Sequence, residues 1–188
     1  MFTDSTHLLV CLYQNTVPGC EPRQFCCGRC RSGRGLMIAL LQRVTSASVT
    51  VEEALIAAID AGLLLFIAVE RDDREQQADR LLQRLLHYRV FPDQEGRMNR
   101  SVRDVGGALL LVPQFTLAAD TRKGSRPGFS PAASAAEGAR LFDYLVACAR
   151  QQLPTEVQTG RFGADMKVAL INDGPVTFSL RAAPGCPD

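Results

Sequence analysis

Asn172-Asp173-Gly174-Pro175-Val176-Thr177 joins two segments in which apolar and polar residues alternate: Met166, Val168 and Leu170 before it, Val176, Phe178 and Leu180 after it. That alternation predicts two strands. Two readings of the junction are open. In the first it is a turn, because Asn and Asp tolerate positive φ, Gly reaches it at no steric cost, and Pro fixes φ while removing a donor. In the second, Gly174-Pro175 is a rigid probe. Neither residue carries a flexible side chain, so the backbone itself can meet a ligand closely, and an X-Pro bond can be held cis.

Other residues with chemical potential lie upstream. Gln114 and Thr116 follow Pro113 at the end of an apolar run, Ala108 to Val112, and polar residues at the end of a buried strand are well placed to line a site. Thr121 to Ser130 is a loop carrying Arg122, Lys123 and Arg126 among glycine and proline. It reads either as a phosphate grip or as a solvated loop. The chain has two histidines, His7 and His87, and His87 sits where a helix ends, so Ser-His-Asp or Cys-His nucleophilic catalysis is not expected. Five of the seven cysteines, Cys11, Cys20, Cys26, Cys27 and Cys30, crowd the first 36 residues. Cys27-Gly-Arg-Cys30 with its neighbours could hold zinc, but a structural zinc site shows two well-spaced pairs and this stretch shows one. The alternative is a disordered leader, or upstream sequence translated from an early start codon, broken up by Pro18, Gly19, Pro22, Gly28, Gly33 and Gly35. No Gly-rich phosphate loop and no H-E-x-x-H pattern occurs, so neither cofactor nor metal is expected.

The elements that must position these residues follow from periodicity. Met37 to Val44 reads as a buried strand, and Ala47, Val49 and Val51 alternate with Ser46, Ser48 and Thr50 as a half-exposed one. Leu55 to Ile59 pairs back, and Gly62 to Val69 is a short continuous apolar run suited to a central strand. Asp72 with Glu75 predicts a helix start. Ala78, Leu81, Leu82, Leu85 and Leu86 then form its buried face, with Arg74, Gln77, Arg80 and Arg84 opposite. Ser134 to Glu137 predicts the start of a second helix, running to about Gln152 and stopped before Pro154. The fold class is α/β: compact and barrel-like, with largely antiparallel sheets and two outer helices. The expected organisation is a leader over 1–36, a folded domain over 37–182 and a frayed tail over 183–188. With 21 basic and 20 acidic residues, nucleic-acid contact must come from a local patch. No run of 18 apolar residues predicts a membrane span, the first ten residues make a poor signal peptide, and a cytoplasmic location is expected.

Five motifs taken in order, Met37-Ile-Ala-Leu-Leu-Gln-Arg-Val44, Pro113-Gln-Phe-Thr-Leu-Ala-Ala-Asp-Thr121, the Arg126-Pro-Gly-Phe129 loop, Thr159-Gly-Arg-Phe162 and Asn172-Asp-Gly-Pro-Val-Thr177, resemble the D-aminoacyl-tRNA deacylases, collinearly from Met37 to about Leu180. The resemblance implies a homodimer of barrel-like subunits that hydrolyses the ester between a D-amino acid and tRNA, with no cofactor. It implies that Gly174 and Pro175, joined by a cis bond, enter the partner subunit's pocket as a chiral filter framed by Asn172 and Thr177 and braced by Arg43. It places the chemistry around Gln114, Phe115 and Thr116, with backbone N–H groups as oxyanion donors and either Thr116 or the 2′-hydroxyl of the terminal adenosine assisting. It assigns tRNA contacts to Arg122, Lys123 and Arg126. Glycine has no side chain for the filter to reject, so glycyl-tRNA mischarged on tRNA-Ala is also an expected substrate. The family serine is Pro113 here. A sister family that clears L-alanyl-tRNA resembles Pro-Gln-x-x-Leu at this place and holds its Gly-Pro bond trans. That editor and a non-catalytic tRNA-binding module are the alternative readings.

Overall fold

The computed structural model describes residues 36–122 and 124–183. The leader and zinc readings of residues 1–35, Lys123, and the tail from 184 onward lie outside the described residues.

β1 (Met37–Val51) pairs on both edges. On one side its first half runs antiparallel to β3 (Gly62–Ala68), from Ile38 opposite Ala68 to Val44 opposite Gly62. Its second half pairs with β2 (Ala54–Ile59). On the other side, β8 (Lys167–Ala182) runs antiparallel to β1 along nearly its whole length. The two strands expected around Thr45 are therefore one. They read as two because the apolar face switches: Met37, Ala39 and Leu41 pack in one core cluster, Ala47 and Val49 in another. The register irregularities against β8 between Gln42 and Ser46 supply that switch, since one extra residue turns every later side chain to the other face.

β3 continues into a parallel pair with β6 (Ala108–Pro113), which in turn pairs parallel with β7 (Val157–Thr159). The parallel pairs explain the unbroken apolar runs. Leu63, Leu65, Leu109 and Leu111 face the helices, whereas Leu64, Leu110 and Val112 face the interior of the curled sheet beside Val168 and Leu170. A strand covered on both faces has no polar side to alternate with. The fold is thus mixed α/β with a barrel-like sheet. A small hairpin, β4 (Phe91–Pro92) with β5 (Met98–Arg100), and one turn of helix, α2 (Val102–Val105), fill the crossover.

α1 (Glu75–His87) and α3 (Ala135–Gln152) are the two expected outer helices. Ser134 caps α3 by accepting the Glu137 N–H at 3.3 Å. α1 departs from expectation at its start. Asp72 adopts φ 74° and is a turn residue, and the cap position belongs to Arg74, whose N–H donates to Gln77 Oε1 at 3.1 Å. Gln77 is consequently buried, not on the solvent face. Across the helix pair, Arg140 bridges Glu75 and Glu137, and the Tyr144 hydroxyl donates to Asp79 at 2.9 Å.

Gly62 has no room for a side chain, because a Cβ there would lie 2.1 Å from the Ala108 carbonyl oxygen. That oxygen is backbone and cannot rotate away, so Gly62→Ala must part β3 from β6. The expected loss is about 3 kcal/mol in urea unfolding. A stability within about 0.5 kcal/mol of the parent, the range of neutral surface substitutions, would contradict the close approach.

Candidate active site

The Asn172–Thr177 stretch is not a chain reversal. β8 keeps its direction through it: Val44 lies opposite Asn172 and Gln42 opposite Thr177, so Arg43 alone faces the four residues Asp173 to Val176. The surplus chain must leave the sheet, and it does so as a tip with Gly174 and Pro175 exposed. The Gly174–Pro175 peptide is cis.

Arg43 occupies the gap in the ladder. Its side chain is only 11% exposed. Nε donates to the Asp173 carbonyl at 3.1 Å and stands 2.9 Å from the Asp173 carboxylate, and Nη1 donates to the Val90 carbonyl at 2.5 Å. A planar guanidinium suits this place because its donors diverge in a fixed fork. Asn172 closes the neck: Oδ1 accepts the Val176 N–H at 2.7 Å, and Nδ2 reaches the Val176 carbonyl and the Thr177 hydroxyl at 3.3 and 3.2 Å. Thr177 also accepts from Gln42 Nε2 at 3.2 Å. Gly174 has φ 132°, and a Cβ there would lie 2.7 Å from Val176 Cγ2 and 3.2 Å from Arg43 Nη2. Only glycine fits both the angle and the space.

A cavity of about 480 Å³ opens elsewhere, where the ends of β3 and β6 meet the start of α3. Ile67, Val112 and Pro113 form its floor, Phe142 and Phe162 its walls, and Gln114 and Phe115 its rim. Gly138 on α3 lets the Phe162 ring approach, since a Cβ would stand 3.2 Å from it. Asp165 is the one titratable residue on the wall among the described residues. Sequence reasoning assigned no role to Gly138 or to the Phe162 wall. A glycine inside a helical run was the available signal, because it marks close approach.

Beyond β6 the chain makes a 3₁₀ turn over Phe115–Ala118. Its first closing bond runs from the Leu117 N–H to the Gln114 carbonyl at 3.2 Å. The Phe115 and Thr116 N–H groups precede that bond, as the first donors of any helical turn do. Gln114 Nε2 donates to the Thr116 hydroxyl at 2.5 Å. Among the described residues no imidazole or carboxylate bonds to that hydroxyl, so no base beside it activates it as a nucleophile. Phe115 stacks at a tilt on Phe129, ring centroids 5.2 Å apart, and both rings remain exposed.

The basic loop is closed at its neck by paired Asp120–Gly128 backbone bonds of 2.7 and 3.0 Å. Asp120, Arg122 and Arg126 line a second concavity there with Gly128 and Ser130. Arg122 is clasped by Asp120, Nε and Nη2 donating at 2.8 and 2.6 Å. This holds the Asp120 carboxyl down at about 2 and raises the Arg122 guanidinium. Arg126 is exposed and has no such partner among the described residues. The predicted residues thus fall into three groups. Gln114, Phe115 and Thr116 lie at the cavity, Arg122 and Arg126 on the adjoining loop, and Arg43, Asn172, Gly174, Pro175 and Thr177 at the tip. No tip residue lines this cavity.

The sequence profile of the D-Tyr-tRNA(Tyr) deacylase family matches residues 40–181. The chain is 61% identical over 148 residues to a D-aminoacyl-tRNA deacylase of Alkalilimnicola ehrlichii, covering 79% of this chain and 98% of that one. It is 59% identical over 146 residues to the D-aminoacyl-tRNA deacylase of Stutzerimonas stutzeri, covering 78% and 100%. Among solved structures it is similar to a c-Myc DNA unwinding element binding protein, at 33% identity and TM-score 0.73 over 80% of this chain and 99% of that one.

The brace is testable apart from any activity. Arg43→Met removes donors from the Asp173 and Val90 carbonyls and is expected to cost about 2–3 kcal/mol in unfolding, since each lost charged bond is worth about 1.5–3 and the half-exposed Asp173 carboxylate is discounted for screening. Amide exchange at Gly174 and Val176 should accelerate, and Arg43→Lys should not restore it. Unaltered exchange at both amides would mean that Arg43 does not hold the tip.

Proposed function

The chain belongs to the D-Tyr-tRNA(Tyr) deacylase family, and we propose that it hydrolyses the ester bond of D-aminoacyl-tRNA, releasing the free D-amino acid and tRNA. The carrying observation is the family match over 40–181, which spans both the Gln114–Thr116 rim and the Gly174–Pro175 tip. The geometry suits this chemistry. An aminoacyl ester is already activated, so positioning and oxyanion donors suffice. Water attacks the ester carbonyl. The oxygen's developing charge takes hydrogen bonds from the Phe115 and Thr116 N–H groups, and the bond to the 3′-oxygen then breaks. The proton lost by the attacking water passes by way of the neighbouring 2′-hydroxyl of the terminal adenosine to the leaving 3′-oxygen, so no protein base is required. Gln114 orients the rim through its bond to Thr116.

Chirality is read by backbone. The Gly174 and Pro175 carbonyls accept from the substrate α-ammonium, and the tip leaves no space on the side where an L side chain would project. Glycine passes, so glycyl-tRNA carried on tRNA-Ala is also cleaved. Since the tip does not line its own protomer's cavity, the filter is supplied by a second copy, and the working unit is a homodimer. Arg126 and Lys123 approach the acceptor stem, with Arg122 available once Asp120 releases it. On this reading the chain is a translation proofreading enzyme that acts in the cytoplasm. Among the described residues no helix is long and apolar enough to cross a membrane.

Pro113 favours one further reading, the L-alanyl-tRNA editor. Hydrolysis of D-tyrosyl-, L-tyrosyl-, L-alanyl- and glycyl-tRNA by the full chain, without added metal, separates them. Cleavage of the D and glycyl esters with both L esters spared is expected. Cleavage of L-alanyl-tRNA in preference to the D ester would transfer the chain to the sister activity, and binding without turnover would leave a tRNA-binding module. Pro175→Ala frees φ at the tip and is expected to lower the D-over-L rate ratio by about 10-fold or more, equivalent to about 1.4 kcal/mol of discrimination, with little change in Tm. An unchanged ratio would count against the filter.

A further inference from the structure

A nearly dry carboxylate lies beside the first residue of β1. Asp73 is 4% exposed. Its Oδ2 accepts the Glu70 N–H at 2.7 Å, whereas Oδ1 is buried without a hydrogen-bond partner among the described residues. Buried charged oxygens are kept in native proteins when something pairs with them, and each orphan calls for an explanation. Burial pushes the Asp73 carboxyl up to about 7. The Glu70 and Asp72 charges add to the rise, and the Glu70 and Met37 backbone N–H groups oppose it.

The Met37 N–H is therefore close enough to act on Asp73. One residue earlier, the Leu36 N–H donates to Glu70 Oε2 at 3.1 Å. The other Glu70 oxygen has Arg181 3.9 Å away, a distant and largely exposed partner. Two carboxylates from the β3–α1 connection thus face the consecutive peptide nitrogens of Leu36 and Met37. A peptide nitrogen offers one donor and no charge, whereas an ammonium offers three donors and a full positive charge.

We infer that Asp73 and Glu70 form an ammonium site, and that its ligand is the α-ammonium of Met37 in a form of the chain that starts there. The ammonium places one N–H on the orphaned Asp73 oxygen and another on Glu70, in the space that the Leu36 peptide occupies in the longer chain. The site then pins the first residue of β1, which is fully buried and pairs with Ala182 at the end of β8. The relatives give a reason to expect such a form: 146–148 residues of this chain match 98–100% of their length, so a body of that size stands alone.

The test compares the full chain with residues 37–188, each with and without Asp73→Asn. In the shorter chain the substitution removes the buried one of the ammonium's two carboxylate partners, and Tm should fall by roughly 10 °C. In the full chain the same substitution replaces an unpaired buried carboxylate by a neutral amide, and Tm should stay level or rise. A second measurement needs no variant and decides alone if the shorter variant does not fold. By NMR, the α-amine of residues 37–188 should titrate well above its ordinary value of about 7.7–8.0. Equal Tm changes in the two chains, or an α-amine that titrates at its ordinary value, overturns the assignment.

Discussion

One mismatch between two strands governs this molecule. β8 spends four residues, Asp173 to Val176, where β1 spends Arg43 alone. The four cannot lie in the ladder, so they are expelled as a tip whose backbone groups lose their strand partners. Backbone polar groups must be paired somewhere. Here the pairing comes from side chains, Arg43 from below and Asn172 from the neck. The brace reaches further, because Arg43 also takes the Val90 carbonyl and so ties the tip to the chain that leaves α1. Tyr88, the C-cap of that helix, meets Phe178 edge to face at 5.4 Å just after the tip. A flexible loop of the same length would have to be ordered by each ligand at an entropic cost. This tip is held before any ligand arrives.

The same irregularity shapes the core. Where β1 slips against β8, its apolar residues pass from the helix side to the inside of the curled sheet. One strand thereby serves two cores, the helix-covered layer and the barrel interior. The parallel trio β3, β6 and β7 completes both, and its leucines alternate between them. The cavity lies where this packing gives out, beyond Ile67 and Val112 and under the first turns of α3. Its lining is mostly apolar, and hydrogen bonds made beside apolar walls are stronger than those made in water. Ester hydrolysis that relies on backbone donors rather than on an acid–base pair suits such a place.

Charge is distributed unequally on the adjoining loop. Asp120 clasps Arg122 in a double contact, whereas Arg126 on the same loop is uncommitted among the described residues. The pair lies in solvent and contributes little to stability. Its larger effect is to fix where the guanidinium stands.

Much of the fold was legible in the chain because periodicity reports burial directly. The helix faces of α1 and α3, the continuous runs of β3 and β6, and the alternation of β8 on both sides of the tip follow from which residues can leave water. The five collinear motifs identified the family for the same local reason, since each is a short string whose chemistry depends on its neighbours. Other features were not local. Asp72 carried the signature of a cap, yet a positive φ made it a turn and sent Asp73 inward. Asn-Asp-Gly-Pro has the composition of a turn, and nothing within it says whether the chain reverses. That depends on which partner lies alongside, and β1 lies along both flanks. Which residues share the cavity, and that no tip residue lines it, was likewise decided by tertiary structure. The residues concerned stand as far apart in sequence as Ile67, Gly138 and Phe162, and only the closing of the sheet against α3 brings such distant positions together. Sequence spacing records what each residue's own segment needs, whereas the position of a second segment is set by the packing of the whole.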